Sequence, residues 1–354
     1  HNVGRKAKEL WTDQPAGEKI HFKQFDTAYD EAEYVALDIE KQIHGGKSYS
    51  DCAVLYRTNA QSRMFEERFV KENIPYKLVG GVNFYARREI KDLLAYLKTI
   101  DNARDDLAVK RIINVPKRGI GATSISRVQM FADENEMSFY DAARQSSEIG
   151  TLGRAAAAKI EPFVTYIQTM RSKANFLGVE ELLKNIIEDT GYVRELEAED
   201  TPEADARIEN IDELISKAAS YEESADAPSL SGFLEEVALV ADIDDVVEGS
   251  EYVVLMTLHS AKGLEFPNVY LGGLEDGLFP SYMSITSDNA DEELEEERRL
   301  CYVGITRAMK RLTITSAKMR MVRGETRFSK VSRFVSEIPR ELLSGTVATG
   351  KSIP

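Results

Sequence analysis

Residues 252–273 read YVVLMTLHSAKGLEFPNVYLGG. Two short apolar runs, YVVLMTL and PNVYLGG, flank a polar loop that carries His259, Lys262, Gly263 and Glu265. Short, almost uninterrupted apolar runs are the mark of strands buried on both faces, as in a parallel sheet covered by helices. The pattern continues downstream: DEELEEERRLCYVGITRAMK (residues 291–310) has helical periodicity, RLTITSA reads as a further strand, and SRFVSEI as a closing helix. Upstream, IHFKQF (strand), AYDEAEYVALDIEKQI (helix, stopped by Gly45 and Gly46), DCAVLYR (strand), AQSRMFEERFVKEN (helix, with Asn59 its candidate N-cap) and YKLVGG (strand) give a βαβαβ series. Between these blocks the strand signal vanishes. EIKDLLAYLKTI, AAAAKIEPFVTYIQTMRSKANF, ARIENIDELISKAASYEE and similar stretches are helical throughout. The fold expected is α/β, a parallel-sheet domain interrupted by an inserted all-helical domain. The boundaries read from pattern are 1–87 and 251–340 for the two sheet segments, 88–250 for the insertion, and 341–354 for a disordered tail.

Composition agrees with a large globular chain. The 354 residues are 43% hydrophobic and 30% charged, with a net charge of −15. That charge argues weakly against a simple nucleic-acid coat protein, although local clustering of basic residues matters more than the sum. The start, HNVGRKAKELW, has no apolar core of a signal peptide and no initiator Met, so a fragment is expected. Cys52 and Cys301 sit in apolar settings (DCAVLY and RRLCYVG), which predicts buried free thiols in a reducing cytoplasm and no cysteine metal site.

Three stretches carry candidate chemistry. In the first, Thr257, His259, Ser260, Lys262, Gly263 and Glu265 follow a strand, and loops after the carboxyl ends of parallel strands are where α/β proteins bind ligands. A polar connection with no ligand would have the same composition. In the second, Arg307 follows Gly304 and Thr306 on the expected last turns of a helix. A rigidly held guanidinium there suits charge developing on a transferred phosphoryl group, and equally suits a solvated arginine at a helix end. In the third, NVPKRGIGATSI places Lys117 and Arg118 before Gly119 and Gly121, with Thr123 or Ser124 as the expected N-cap of the next helix and Arg111 and Arg127 nearby. Small glycines admit a close phosphate and the helix amino terminus attracts it; a capped loop is the plainer alternative. A fourth stretch, GTVATGKS (Gly345 to Ser352), matches G-x-x-x-x-G-K-[ST], but neither the strand before it nor the helix after it that such a loop requires is expected. It is read as a coincidence.

LHSAKGLEFPNV followed some forty residues on by YVGITRA resembles the last two motifs of the UvrD/Rep/PcrA family of superfamily-one DNA helicases. AVLYRTNAQSR, YKLVGG with FYARREIKDLLAYL, INVPKRGIG and SRFVSEIP are similar to further stretches of that family in the same order, over nearly the whole chain. The chain is similar in particular to the carboxyl-terminal half of the PcrA-type enzymes of Gram-positive bacteria.

That resemblance implies a second RecA-like domain split by a helical domain, in an enzyme that hydrolyses ATP and moves 3′ to 5′ along single-stranded DNA. It implies Arg307 as an arginine finger, Glu265 on the ribose, and Gly263 and Lys262 near the phosphates. Arg57, Asn59, Thr257 and His259 would contact single-stranded DNA, and Lys117, Arg118, Gly119, Gly121 and Thr123 would grip duplex or forked DNA through a helix-hairpin-helix element. Two positions depart from the family. Ser281 stands where relatives carry His, and Arg323 where they carry an aromatic residue; both positions contact single-stranded DNA in relatives. The P-loop and the Mg2+ ligands that accompany ATP are expected in an amino-terminal RecA-like half of the same protein, without which this chain is expected to be inactive. A bacterial cytoplasmic, nucleoid-associated setting is implied as well. The alternative is a non-catalytic DNA-binding or partner-docking module.

Overall fold

The computed structural model describes residues 17–241 and 251–344. GTVATGKS and most of the expected tail therefore lie outside the described residues. Along the chain come β1 (Ile20–Thr27), α1 (Ala28–His44), β2 (Cys52–Tyr56), α2 (Ser62–Lys71) and β3 (Tyr76–Val79). A helical stretch follows: α3 (Arg88–Asp101), α4 (Asp106–Ile112), α5 (Ala122–Glu134), α6 (Phe139–Arg144), α7 (Arg154–Lys173), α8 (Val179–Thr190), α9 (Tyr192–Glu197), α10 (Pro202–Ser224) and α11 (Leu230–Ala241). Then come β4 (Val253–Thr257), β5 (Phe266–Leu271), β6 (Glu275–Asp276), α12 (Tyr282–Thr286), α13 (Ala290–Ile305), β7 (Ala308–Val322), β8 (Glu325–Phe328), β9 (Lys330–Val331), α14 (Arg333–Ser336) and β10 (Leu343–Ser344). Among the described residues one compact unit takes in residues 17–83, 251–321 and 326–344, and the other residues 84–241 and 322–325.

The sheet of the first unit runs β10-β1-β7-β5-β2-β4-β3, with β8 paired to β7. The neighbours along that path are all parallel. β2 is buried at every position because β4 and β5 flank it and helices cover both faces. The alternation of a strand then sorts its side chains. Ala53 and Leu55 join one core with Val254, Met256 and Leu271, while Cys52, Val54 and Tyr56 join the other with Val253, Leu255 and Tyr270. The first core is closed by Cys301 of α13 and by Phe334 and Val335 of α14. The second is closed by Val35 and Ile39 of α1 and by Phe65 and Phe69 of α2. Thr27 starts α1 with a reciprocal cap: its hydroxyl accepts from the Asp30 amide at 3.1 Å, and the Asp30 carboxylate accepts from the Thr27 amide at 3.0 Å.

Local details differ from the sequence reading in three places. Asn59 does not cap α2. It opens a short 3₁₀ turn, Asn59–Gln61, and the Gln61 carbonyl oxygen Oε1 accepts from the amides of Arg57 (2.9 Å) and Thr58 (3.0 Å). The helix expected over residues 291–310 stops at Ile305, so Arg307 lies just past the helix and Ala308 already begins β7. Sheet pairing of β7 with β5 and β1 overrides the helical periodicity of TRAMK. Finally, α5 is capped by Gly121, with no side-chain cap, and Thr123 sits inside its first turn.

The second unit is all-helical apart from the hairpin tip at residues 322–325. Its core centres on α3, whose Ile90, Leu93, Tyr96 and Leu97 are buried. Asp92, also buried on α3, accepts from the Tyr192 hydroxyl at 2.7 Å and from Arg111 Nε at 2.7 Å. Arg111 is therefore committed to an internal carboxylate. Among the described residues no helix is long and apolar enough to cross a membrane.

Candidate nucleotide and DNA interface

Parallel pairing fixes which residues meet at which edge of the sheet. Tyr56 of β2 pairs with Thr257 of β4, so Arg57, Thr58 and Asn59 leave the sheet at the same carboxyl edge as Thr257, His259 and Ser260. The neighbouring turn after β3 joins them. A Cβ at Gly80 would come within 2.6 Å of Ser260 Oγ, and one at Gly81 would lie 3.8 Å from Asn59 Oδ1. Gly80 has φ +81°, a conformation that glycine adopts without strain. The Thr257 and Ser260 hydroxyls are 3.1 Å apart.

The rest of the loop goes elsewhere. β5 is parallel to β2, with Cys52 opposite Asn268, so Phe266 starts at the amino edge of the sheet. Residues 258–265 thus return from one edge to the other, and only Thr257, His259 and Ser260 stay at the carboxyl edge where the sequence placed the whole set. Lys262, Gly263 and Glu265 are exposed near the start of β5, with Gly263 at φ +88°. Arg307 is there too. Its amide-bearing neighbour contacts strap the loop: the Phe266 amide donates to the Arg307 carbonyl at 2.9 Å, and Arg307 Nη1 donates to the Leu264 carbonyl at 2.9 Å. Arg307 Nε also donates to the Val303 carbonyl in the last turn of α13 (2.9 Å), and Nη2 to Thr306 Oγ1 (3.0 Å). A cation is favoured at that negative helix end. The guanidinium is held in one orientation while remaining half-buried.

Arg57 is also paired. Its Nε lies 3.0 Å and 3.2 Å from the two carboxylate oxygens of Glu297, and its Nη2 lies 2.7 Å from Oε1. The Glu297 side chain is 6% exposed and that of Arg57 24%. Burial and the Arg57 cation push the His259 imidazole below its ordinary pKa, partly offset by Glu297 and Glu296. His259 is therefore neutral at neutral pH and offers a hydrogen bond rather than a charge. Sequence reasoning missed Glu297, which stands in the acidic start of the helix expected over residues 291–310. Its signal was the buried stripe Glu297, Cys301, Gly304 at helical spacing.

The stretch NVPKRGIGATSI is rebuilt more drastically. Arg118 turns inward: Nη1 lies 2.9–3.3 Å from the carbonyls of Ile112, Ile113, Val115 and Pro116, and Nη2 is 2.5 Å from the Tyr96 hydroxyl. Its guanidinium also lies 5.4 Å from the Phe163 ring centre. It adds a donor to the carbonyls of the turn that follows α4, so the Arg118 side chain is committed internally. Asn114 Oδ1 accepts from the amides of Arg118 (2.8 Å) and Ile120 (3.1 Å), which closes the loop. Lys117, Gly119, Gly121 and Thr123 are exposed, and Lys159 reaches the Gly119 carbonyl at 3.1 Å.

The two departures from the family pattern also have local duties. Ser281 caps α12, accepting from the Ser284 amide at 3.1 Å. Arg323 occupies the hairpin tip with φ +56° beside Gly324 at +79°, and its Nε lies 2.8 Å from Asp212. Positive φ at both central residues is the geometry of a two-residue hairpin turn.

Among the described residues no group of three or more His, Cys, Asp or Glu is placed to hold a metal ion. Cys52 and Cys301 are free and buried, and burial pushes their thiols up to about 11 and about 12.

The family described as UvrD-like helicase C-terminal domain matches residues 1–319. The chain belongs to this family. Two relatives named ATP-dependent DNA helicase PcrA, from Staphylococcus epidermidis and Staphylococcus aureus, are each 47% identical over 345 residues. The match takes in 97% of this chain and 47% of each relative, so the chain spans about half the length of the curated relatives it matches. A split parallel sheet with a helical insertion is thus the architecture of a UvrD-like carboxyl-terminal domain in this chain.

Proposed function

We propose that this chain is the carboxyl-terminal half of an ATP-dependent DNA helicase that translocates 3′ to 5′ along single strands, in the cytoplasm of a bacterium and in association with its nucleoid. The observation that carries the reading is Arg307, whose fork is fixed by Val303, Thr306 and Leu264 beside the exposed Lys262, Gly263 and Glu265. A guanidinium oriented in advance stabilises charge on a transferred γ-phosphoryl group without reorganising at the moment of reaction. In this reading Arg307 is the finger, Glu265 binds the ribose, and Lys262 and Gly263 approach the phosphates of ATP. The P-loop and magnesium ligands belong to an amino-terminal RecA-like half. Arg57, Asn59, Thr257 and His259 engage backbone phosphates of single-stranded DNA at the other edge of the sheet. Ser281 and Arg323 add contacts only by leaving their present partners.

Lys117, Gly119, Gly121 and Thr123 form the duplex contact; the support is that they are exposed and that α5 begins without a side-chain cap, which suits a phosphate at its amino end. That contact needs no ATP, which supports DNA binding by the chain alone as a second, non-catalytic role.

The test is steady-state ATP hydrolysis by the longer protein containing this chain, with single-stranded DNA present. Arg307→Ala should lower turnover about 10³-fold while DNA affinity changes little, and the chain alone should not turn over. Near-normal turnover by Arg307→Ala would remove the finger assignment.

A further inference from the structure

The DNA-facing and nucleotide-facing residues of the sheet unit lie at opposite edges, and one rigid element reaches both. α13 is an unbroken helix in which Glu297, Cys301 and Gly304 form the buried stripe. Glu297 meets Arg57 at the carboxyl edge, and the last turn, through the Val303 carbonyl, holds Arg307 at the amino edge. Val303 lies six residues after Glu297 along the helix, a rise of about 9 Å. The helix is seated flush on the sheet: a Cβ at Gly304 would come within 2.5 Å of Leu258 Cδ2 and 3.3 Å of Leu271 Cδ1. Small displacements at one end are therefore carried to the other, because a close-packed helix moves as a body.

We propose that Glu297 is a positioning residue that orients Arg57 toward a backbone phosphate of single-stranded DNA and, through α13, ties occupancy of that site to the placement of Arg307. The guanidinium fork has two edges. Glu297 takes the Nε/Nη2 edge in a two-pronged pair, and among the described residues no acceptor takes the Nη1 edge. A phosphate arriving on that edge shares the cation with Glu297. The pull between Arg57 and Glu297 then changes, and α13 feels the change. The return loop through Leu258 and Leu264 is a softer route between the same edges; the helix is the stiff one. His259, exposed beside this pair, reports its electrostatics, since Arg57 lowers its pKa while Glu297 and Glu296 raise it.

The inference rests on the proposed function, and two measurements separate their failures. The first is a double-mutant cycle with Arg57→Ala and Glu297→Gln in the longer protein, reading ATP turnover saturated with a thymidine oligonucleotide. Each single change should lower DNA-stimulated turnover about tenfold, with the double no worse than Arg57→Ala alone. Glu297→Asp should recover part of the loss. Additive losses, or a Glu297→Gln protein that responds to DNA as wild type does, would overturn the inference. Wild-type protein with no DNA-stimulated turnover would instead sink the functional reading. The second measurement then decides the pairing by itself: the His259 imidazole is titrated by NMR. Glu297→Gln should lower its pKa further and Arg57→Ala should raise it. A His259 pKa indifferent to Glu297→Gln would mean that the pair does not hold Arg57 in solution, and the inference would fall.

Discussion

Arg307 and Arg118 both follow a helix and both grip main-chain carbonyls at its end, yet they are built for opposite purposes. Arg307 gives each of its nitrogens one partner and keeps its fork half-buried beside an exposed loop. Arg118 places one nitrogen among four carbonyls, another on the Tyr96 hydroxyl, and its plane near the Phe163 ring. The two arginines differ in the number of their internal commitments, which the neighbouring sequence does not reveal. In the Arg118 loop the side chain builds the turn and the main chain of Gly119 and Gly121 is exposed. Under the proposed function that main chain meets a phosphate, whereas the half-buried Arg307 fork meets the nucleotide.

The contrast breaks most visibly in stability. Arg118→Ala leaves the Ile113 and Pro116 carbonyls without their donor, while Ile112 keeps the Val115 amide and Val115 the Tyr96 hydroxyl. It should destabilise the helical unit by roughly 1–3 kcal/mol, read as an earlier unfolding transition of that unit in denaturant. If Arg118→Ala unfolds like wild type, the structural role assigned to it is wrong. Next comes Gly304→Ala, which inserts a methyl between α13 and the buried Leu258 and should cost about 1–3 kcal/mol of sheet-unit stability by overpacking. Turnover should suffer alongside, since the displaced helix end holds Arg307. Lys117→Ala sharpens the comparison from the other side. Stability should stay within about 0.5 kcal/mol, while duplex affinity falls and its logarithmic salt slope shrinks by about 1.

The smallest effect is the pH response of His259. Its pKa is lowered in the folded chain, so the unfolded chain takes up a proton that the folded one resists. Its contribution is complete above the unfolded value of about 6.5 and is lost as pH falls below that and through the lower folded value. Denaturant midpoints between pH 7.5 and 5.5 should show a slight acid-side decline that His259→Gln removes.

Much of the architecture was legible because burial leaves a periodic trace. CAVLY and VVLM are apolar at every position because they lie inside a parallel sheet and are buried on both faces. Arg307 was legible as a cation beside a helix end. Side-chain direction in loops was not, since nothing in NVPKRGIG distinguishes an inward Arg118 from an outward Lys117. The partition of the 257–265 loop between two edges was hidden too: it follows from β5 running parallel to β2, which the loop's composition does not encode. Glu297 was hidden by its company, because a carboxylate buried against one distant arginine looks, in a row of glutamates, like another solvated charge.

The order of the strands has a consequence in time. β1 lies between β10 and β7, and β2 between β5 and β4, while β3 pairs with β4 at the edge, so strands made before the helical insertion are interleaved with strands made after it. A ribosome delivers β1, β2 and β3 long before their partners exist. The helical segment, rich in local contacts, can fold as it emerges. Its folding also shortens the effective loop between β3 and β4, which end as neighbours about 4.8 Å apart. The insertion thereby acts as a clamp for its host: during synthesis, the early strands wait with open edges until the helices have brought the late strands home.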